Sequence, residues 1–124
     1  ARNIAHATIE VKGNTRVAEI EAQIAEMGHL TTEMVKQAIQ AYVDKDEKAA
    51  KALVTVNDRL VEYRNQIMRD SYDKITTDAN VLVAAMNYNN VAADLVRIGD
   101  YLTNVGEWIV YLKTGQIVEL KLMK

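Results

Sequence analysis

The sequence has no cysteine, no proline and no phenylalanine, and only five of its 124 residues are glycine. Without cysteine the chain can form neither a disulfide nor a thiolate metal site, so a reducing, cytoplasmic setting is the expected one. Proline and glycine are the residues that interrupt helices most strongly, and their scarcity favours long helices over a β-rich fold. A chain of this length has room for one domain with a hydrophobic core.

Charge and hydropathy argue against two classes of partner. The formal net charge is -2, and acids and bases are interspersed along the chain. This pattern offers no basic stripe for nucleic acid and no polybasic patch for anionic lipid. The apolar runs are a few residues long, whereas a membrane-spanning helix needs about 20. We therefore expect a protein that binds no nucleic acid and does not insert into a membrane.

The first apolar stripe predicts a helix that ends near Val43. Asn14 and Thr15 offer N-cap oxygens for this helix, and Asp46, in the polar turn that follows it, can cap the next one. Its predicted inner face repeats at spacings of three and four residues and comprises Val17, Ile20, Ile24, Met27, Thr31, Met34, Ala38 and Ala41.

A second stripe predicts another helix, which fades between Ser71 and Lys74, where we place the second reversal of the chain. Its predicted inner face comprises Ala49, Leu53, Val56, Leu60, Tyr63 and Ile67. The third helix is expected to start at a cap on Thr77 or Asp78 and to end at Gly115. Its predicted inner face comprises Val81, Ala85, Tyr88, Val91 or Ala92, Leu95, Ile98, Leu102, Val105, Ile109 and Leu112.

Three stripes joined by short turns can bury their apolar sides only against one another. The predicted fold is therefore all-α, an antiparallel three-helix bundle over residues 13–116. Ala1–His6, ARNIAH, aligns with Leu102–Glu107, LTNVGE, and shares its asparagine and the branched residue that follows. This short repeat predicts that residues 1–12 end a third helix of a preceding bundle, so that the chain is a fragment of a tandem protein. For the tail, residues 117–124, the sequence does not decide between a strand, a helix and a loose end.

The third predicted helix carries the sequence ADLVRIGD at Ala93–Asp100, followed by Asn104 and Glu107 and then by WIVYLKTGQ at 108–116. These residues resemble the third-helix signature of the PhoU family, whose repeats read close to DLERIGDxxxNIAE. The resemblance covers the whole of the third helix. Together with the bundle pattern and the short repeat, it identifies the chain as similar to the C-terminal repeat of that family.

The resemblance implies a non-enzymatic, cytoplasmic regulator of phosphate uptake and phosphate signalling. The partners it implies are the ATPase of a phosphate ABC transporter and a phosphate-sensing histidine kinase, and an unpaired helical segment at residues 1–12 makes a homodimer the expected assembly. At 100° per residue, positions 96, 100, 104 and 107 lie well over 90° from the predicted core line, so the motif should face outward. The partner-binding candidates are Arg97, Asp100, Asn104 and Glu107.

Some members of the family carry E/D-x-x-x-D motifs on the second and third helices that hold iron or zinc clusters. In this sequence Val96 occupies the first carboxylate position on the third helix, and Asn57 and Val61 occupy the two positions on the second. The motif is therefore degraded, and no cofactor is certain. The residues left as candidate ligands for iron or zinc are Asp58, Glu62, Asp100 and Asn104.

Two other functions remain open from the sequence. The first is a carboxylate metalloprotein for iron storage or redox chemistry, to which the Glu26-x-x-His29 spacing adds a further candidate pair. Di-iron bundles need two copies of that spacing, and this chain has one, so a solvated helix face is the preferred interpretation. The second is a helical accessory domain of a membrane phosphate transporter.

Smaller features predict packing. Met86 is expected in or near the core, Arg97 is expected to pair with Asp100, and Gly99 and Gly106 share a face that suits a close helix approach.

Overall fold

The computed structural model describes residues 16–114. This part of the chain forms three long helices, α1 (Ala18–Asp44), α2 (Glu47–Thr77) and α3 (Leu82–Thr114), with a short 3-10 turn at Ala79–Val81 that leads into α3. Each long helix packs against the other two. The result is an all-α antiparallel three-helix bundle, as the sequence predicts, in which α1 and α3 run parallel and α2 runs against them.

Some of the predicted features lie outside the described residues. These are the segments 1–12 and 117–124, the caps at Asn14 and Thr15, and the helix terminator Gly115.

The first helix begins without a side-chain cap. Val17 is its N-cap residue, and the Val17 N–H donates to the Tyr88 hydroxyl of α3 at 3.1 Å. The helix ends at Lys45, a non-glycine residue in the left-handed region with φ 51°. Its N–H donates to the carbonyl of Tyr42, which closes the last turn.

Two aspartates cap the elements that follow, as predicted. Asp46 accepts a hydrogen bond from the Ala49 N–H at 3.1 Å, and Asp78 accepts one from the Asn80 N–H at 3.0 Å. The predicted reversal between Ser71 and Lys74 is wrong, because α2 continues to Thr77. Ser71 is buried and accepts a hydrogen bond from Asn89 of α3, so a small polar residue continues the inner face where the apolar pattern fades.

The core runs the length of the bundle. Every residue of the predicted α1 stripe is buried, and α2 and α3 contribute large side chains at the centre, including Leu53, Leu60, Ile67, Tyr88 and Leu95. A smaller cluster lies at the end where α1 and α3 finish. It consists of Ala41, Ala50, Val54, Ile109 and Val110, with Ala49 packed against it.

The C-terminal half of α3 differs from the prediction. Val105 and Leu112 were expected in the core, but they are 37% and 53% exposed. The positions that face inward are Gly99, Thr103 and Gly106, together with Ile109 and Val110. Small residues fill the inner face where helices approach closely, and the buried Thr103 hydroxyl donates to its own helix at the Gly99 carbonyl, 3.0 Å away.

The prediction that Met86 lies in or near the core is also wrong, because its side chain is 58% exposed.

Within residues 16–114 the structure contains no helix that is both long and apolar enough to cross a membrane.

Candidate functional site on the third helix

The ADLVRIGD signature is joined to α2 by a hydrogen bond between side chains. The Asn57 amide nitrogen of α2 donates to Asp100 Oδ1 at 3.0 Å. Asn57 is 4% exposed, and Asp100 is partly buried at the edge of the interface. The Asn57 carboxamide is therefore part of the α2–α3 packing.

Gly99 makes room for this contact. A methyl group built on Gly99 would overlap Asn57 Oδ1 and would lie 3.0 Å from Leu60 Cδ1. Asn57 Oδ1 is buried and accepts no hydrogen bond from the residues that the structure describes. Its position beside the α-carbon of Gly99 suits a weak C–H···O contact. The predicted close approach at Gly99 is thus confirmed.

Val96 corrects the prediction that the whole motif faces outward. Its side chain is 5% exposed and belongs to the main core, and Val61 of α2 packs against the same core. Val96 lies three residues before Gly99 and seven before Thr103, so the three share one side of α3. Because Gly99 and Thr103 are buried against the other helices, Val96 also faces inward. The positions at which the resemblance implies carboxylates are thus filled by two valines and a buried amide.

The candidate metal ligands do not converge. Asp100 contacts Asn57, whereas Glu62 lies five residues further along α2, about 140° around the helix, and lines a groove beside α1. Within residues 16–114 no three histidine, aspartate or glutamate side chains are close enough to hold a metal ion together. Asp58 is partly buried, and Glu26 and His29 are exposed. In this part of the chain the side chains therefore do not fit a multinuclear iron or zinc cluster.

The partner-binding candidates form one strip along α3. We call Arg97, Asp100, Asn104 and Glu107 the polar strip. Arg97 and Asn104 are exposed, and Asp100 and Glu107 are partly buried. The predicted pair between Arg97 and Asp100 is not formed, since Arg97 instead contacts Asp94, one turn earlier, at 3.0 Å. That pair is exposed on both sides and of small energetic value, so the guanidinium can exchange it for a partner's carboxylate.

A cleft adjoins the polar strip at its C-terminal end. It has a volume of about 270 Å³ and is lined by Asn104, Glu107, Trp108 and Tyr111. Trp108 is 63% exposed, and its ring meets that of Tyr111 edge to face with 5.5 Å between centroids. An amide, a carboxylate and two aromatic rings in one cleft can recognise a protein side chain. The sequence indicated Asn104 and Glu107 but gave Trp108 no orientation and missed Tyr111, although their spacing places all four on one side of a helix.

A second polar cluster fixes the opposite end of the bundle. Arg16 donates two hydrogen bonds to the Glu21 carboxylate, both at 2.7 Å, and the Tyr88 hydroxyl donates to the same carboxylate. The hydrogen bonds from Arg16 hold the pKa of Glu21 below its ordinary value, and the bond from Tyr88 acts in the same direction. Burial raises the pKa of Tyr88, and its bond to Glu21 adds to this. The cluster ties the start of α1 to α3.

A groove lies beside α1 and α2. It encloses about 730 Å³ and is lined by Gln23, Arg59, Glu62, Tyr63, Asn65, Gln66 and Arg69. Gln23 of α1 donates to Asp70 of α2 at 2.8 Å. Charges of both signs share the groove, so it favours neither an anion nor a cation.

Comparison with known proteins agrees with the third-helix signature. The PhoU domain family matches residues 24–109, which span most of α1, all of α2 and most of α3. A phosphate-specific transport system accessory protein PhoU homologue of Streptococcus pneumoniae is 25% identical over 117 residues, which are 94% of this chain and 54% of that protein.

Two further homologues carry the same description. The protein from Caulobacter vibrioides is 27% identical over 116 residues, covering 94% of this chain and 50% of its own length. Homologue 1 from Thermotoga maritima is 29% identical over 98 residues, which are 79% of this chain and 42% of that protein. No solved structure gives a significant match. The chain spans about half the length of these curated relatives. Because the family match covers well over half of the residues of this chain, the chain belongs to the PhoU family.

Proposed function

We propose that this chain is part of a non-enzymatic regulator of phosphate uptake and phosphate signalling. The observation that carries the proposal is the PhoU domain match over residues 24–109, a stretch to which all three helices of the bundle contribute. The relatives are described as accessory proteins of phosphate-specific transport systems. An accessory protein acts through contacts with the transport machinery, so the proposed role is that of an adaptor in the cytoplasm.

The proposed partners are the ATPase of the phosphate ABC transporter and a sensor histidine kinase. The polar strip and its cleft supply a surface for such contacts. Arg97 is 67% exposed at its side chain, and its partner among residues 16–114 is Asp94 of the same helix. Trp108 stands beside a cleft that can take a partner's side chain. Aromatic and arginine residues of this kind contribute much of the binding energy in protein interfaces.

A rigid backbone supports this surface. The Asn57–Asp100 hydrogen bond and the close packing at Gly99 fix α3 against α2 directly under the strip. Side chains on a fixed helix lose less conformational entropy on binding than side chains on a mobile loop. The signature residues thus have two roles in the proposal, since Gly99 and Asp100 position the helix and Arg97, Asn104 and Glu107 meet the partner.

Deletion of the gene tests the regulatory role. In medium rich in phosphate, the deletion strain should keep a phosphate-starvation reporter active and should continue high-affinity uptake, and the wild-type gene supplied in trans should restore repression. Repression that stays normal in the deletion strain, with no second PhoU gene in the genome, would contradict the proposal.

A further inference from the structure

The cleft at the C-terminal end of the polar strip is lined by one stretch of α3. Its lining residues follow one another at spacings of three, one and three, so they share one side of the helix; they are Asn104, Glu107, Trp108 and Tyr111. The volume of about 270 Å³ lies just below the ~300–1,000 Å³ of pockets that hold drug-sized ligands. The cleft therefore has the size for one long side chain of another protein.

The two aromatic rings of the cleft form a corner. The Trp108 and Tyr111 rings stand at 84° to each other, with 5.5 Å between their centroids. An aromatic ring is electron-rich on its faces, so a ring face attracts a cation. Among the described residues a lysine ammonium lies over Tyr42, but no cation lies over Trp108. Trp108 is 63% exposed, so its ring can receive a cation from another molecule.

Glu107 gives the cleft a negative charge. This residue is partly buried, and in the part of the chain that the structure describes no lysine or arginine forms a salt bridge with it. Asn104 adds an amide oxygen, which is a further hydrogen-bond acceptor. Lys113 lies nine residues after Asn104, about 180° around the helix, and so on the opposite side of α3. The cleft thus combines an anion, an acceptor and two ring faces.

We propose that the cleft binds an arginine side chain of the partner protein. A guanidinium has five N–H donors in one plane and stacks on aromatic rings, so it can donate to Glu107 and Asn104 while its face lies on Trp108. A lysine ammonium is a more strongly hydrated point charge that does not stack in this way. An acidic side chain would be repelled by Glu107, and an apolar one would remove water from its carboxylate without replacing the hydrogen bonds. The inference rests on the proposed adaptor role, since it specifies how the partner is recognised.

Arg97 gives the proposed contact a direction. It lies on the same side of α3, seven residues before Asn104 and ten before Glu107, which is about 10–15 Å along the helix axis. The strip therefore presents a cation at one end and an anionic cleft at the other. A complementary partner carries an acidic group and an arginine at a matching separation. Opposite charges at two points fix the direction in which the partner lies along α3.

The tryptophan provides the readout, because Trp108 is the only tryptophan in the sequence. The probes are Nα-acetyl-arginine amide and Nα-acetyl-citrulline amide, which has a similar shape but no charge. The arginine probe should shift the Trp108 emission and its indole N–H resonance saturably, with a Kd of about 1 mM. The citrulline probe should bind about threefold or more weakly, and Nα-acetyl-lysine amide should also bind more weakly than the arginine probe.

Substitutions test which groups hold the probe. Glu107→Gln should lower the affinity for the arginine probe about threefold or more and leave the affinity for the citrulline probe unchanged. Glu33→Gln is the matched control, because Glu33 is a partly buried glutamate of α1 outside the cleft. Tyr111→Phe keeps the ring and should bind like wild type, whereas Tyr111→Leu should bind more weakly. Circular dichroism establishes that each variant is folded, and the comparison of probes on the unaltered chain decides if Glu107→Gln does not fold.

Three results would overturn the proposal. The arginine probe could leave the Trp108 signals unchanged, the citrulline or lysine probe could bind as tightly as the arginine probe, or Glu107→Gln and Glu33→Gln could behave alike. These measurements use the isolated protein, whereas the deletion strain tests the adaptor role. Normal repression in that strain would contradict the adaptor role and leave the arginine site standing. A protein that binds the transporter ATPase but not the arginine probe would overturn the arginine site alone.

Discussion

Asn57 of α2 donates its side-chain amide to Asp100 Oδ1 of α3 at 3.0 Å, and its carbonyl oxygen lies where a side chain on Gly99 would be. Three residues thus share one small volume at the centre of the signature. The arrangement explains why the glycine of ADLVRIGD suits this helix, although glycine lowers helix stability by about 1 kcal/mol relative to alanine.

The overlap between residues 57 and 99 predicts strong coupling in a double-mutant cycle. Gly99→Ala should lower the free energy of unfolding by about 1–3 kcal/mol, because the added methyl displaces a well-packed amide. Asn57→Ala should also destabilise the protein by about 1–3 kcal/mol. In the Asn57→Ala background, Gly99→Ala should be close to neutral, since the obstructing amide is gone. Urea denaturation of the four proteins measures this, and additive effects would contradict the packing described.

The Glu21 cluster predicts a component of stability that depends on pH. The pKa of Glu21 is lowered in the folded protein from an ordinary value of 4.5, first by the Arg16 hydrogen bonds. A lowered folded-state pKa means that the stabilisation is present above pH 4.5 and is lost as pH falls through the folded-state value. Wild type should therefore lose more stability than Glu21→Gln below about pH 4.5.

Thermal melting between pH 7 and pH 3 measures the difference between the two proteins. Glu33→Gln is the control for removal of one acidic group, because the partner of Glu33 in the described part of the chain is Lys36, three residues along the same helix, at 3.7 Å. A steeper acid loss in Glu21→Gln than in wild type would reverse the predicted sign.

The residues at positions 57, 61 and 96 predict a protein without a stoichiometric metal cluster. After anaerobic purification, iron and zinc should each be present at less than about one per chain, and a chelator should leave the unfolding midpoint unchanged, because no structural metal contributes to folding. Elemental analysis measures the metal content, and thermal melting with and without chelator measures the unfolding midpoint. Stoichiometric metal that is lost in Asp100→Asn would show that the valines and the buried amide do not prevent binding.

Two leucines of α3 provide a test of the helix orientation. Leu95 is 1% exposed and Leu82 is 47% exposed. Leu95→Ala should cost about 2–5 kcal/mol, since it removes core packing and leaves a cavity. Leu82→Ala should cost about 0.5 kcal/mol or less, as surface substitutions usually do. Equal losses in denaturant unfolding would mean that the core is not where the structure places it.

The fold was predictable because its signals are local and periodic. The α1 stripe and the caps at Asp46 and Asp78 are confirmed residue by residue. The inner face of the later part of α3 was not predictable in the same way. Val105 and Leu112 are large and apolar, so the sequence pattern predicts that they face the core. The residues that do face the core are small, such as Gly99 and Thr103. Hydrophobicity alone does not indicate which side a close helix contact will use.

The alignment of the partner-binding candidates along one side of α3 was predictable from their spacing, whereas their contacts were not. The resemblance pointed to Asp100, Asn104 and Glu107, and the structure places them along one strip of α3. The resemblance could not show that Asn57 is buried against Gly99, because that contact depends on how α2 and α3 are rotated about their axes. The bond between Tyr88 and Glu21 joins residues 67 positions apart, and a single polar contact over that distance leaves no periodic signal in a sequence.

The most direct test of the proposed adaptor role is the affinity of the purified protein for the ATPase of the phosphate ABC transporter from the same organism, measured by calorimetry. Wild type should bind, and Arg97→Glu should bind about tenfold or more weakly. Lys36→Glu is the matched control, because Lys36 is 69% exposed and pairs with Glu33 three residues away, as Arg97 pairs with Asp94; it should bind like wild type. Absence of wild-type binding, or equal loss in the two variants, would contradict docking through the polar strip.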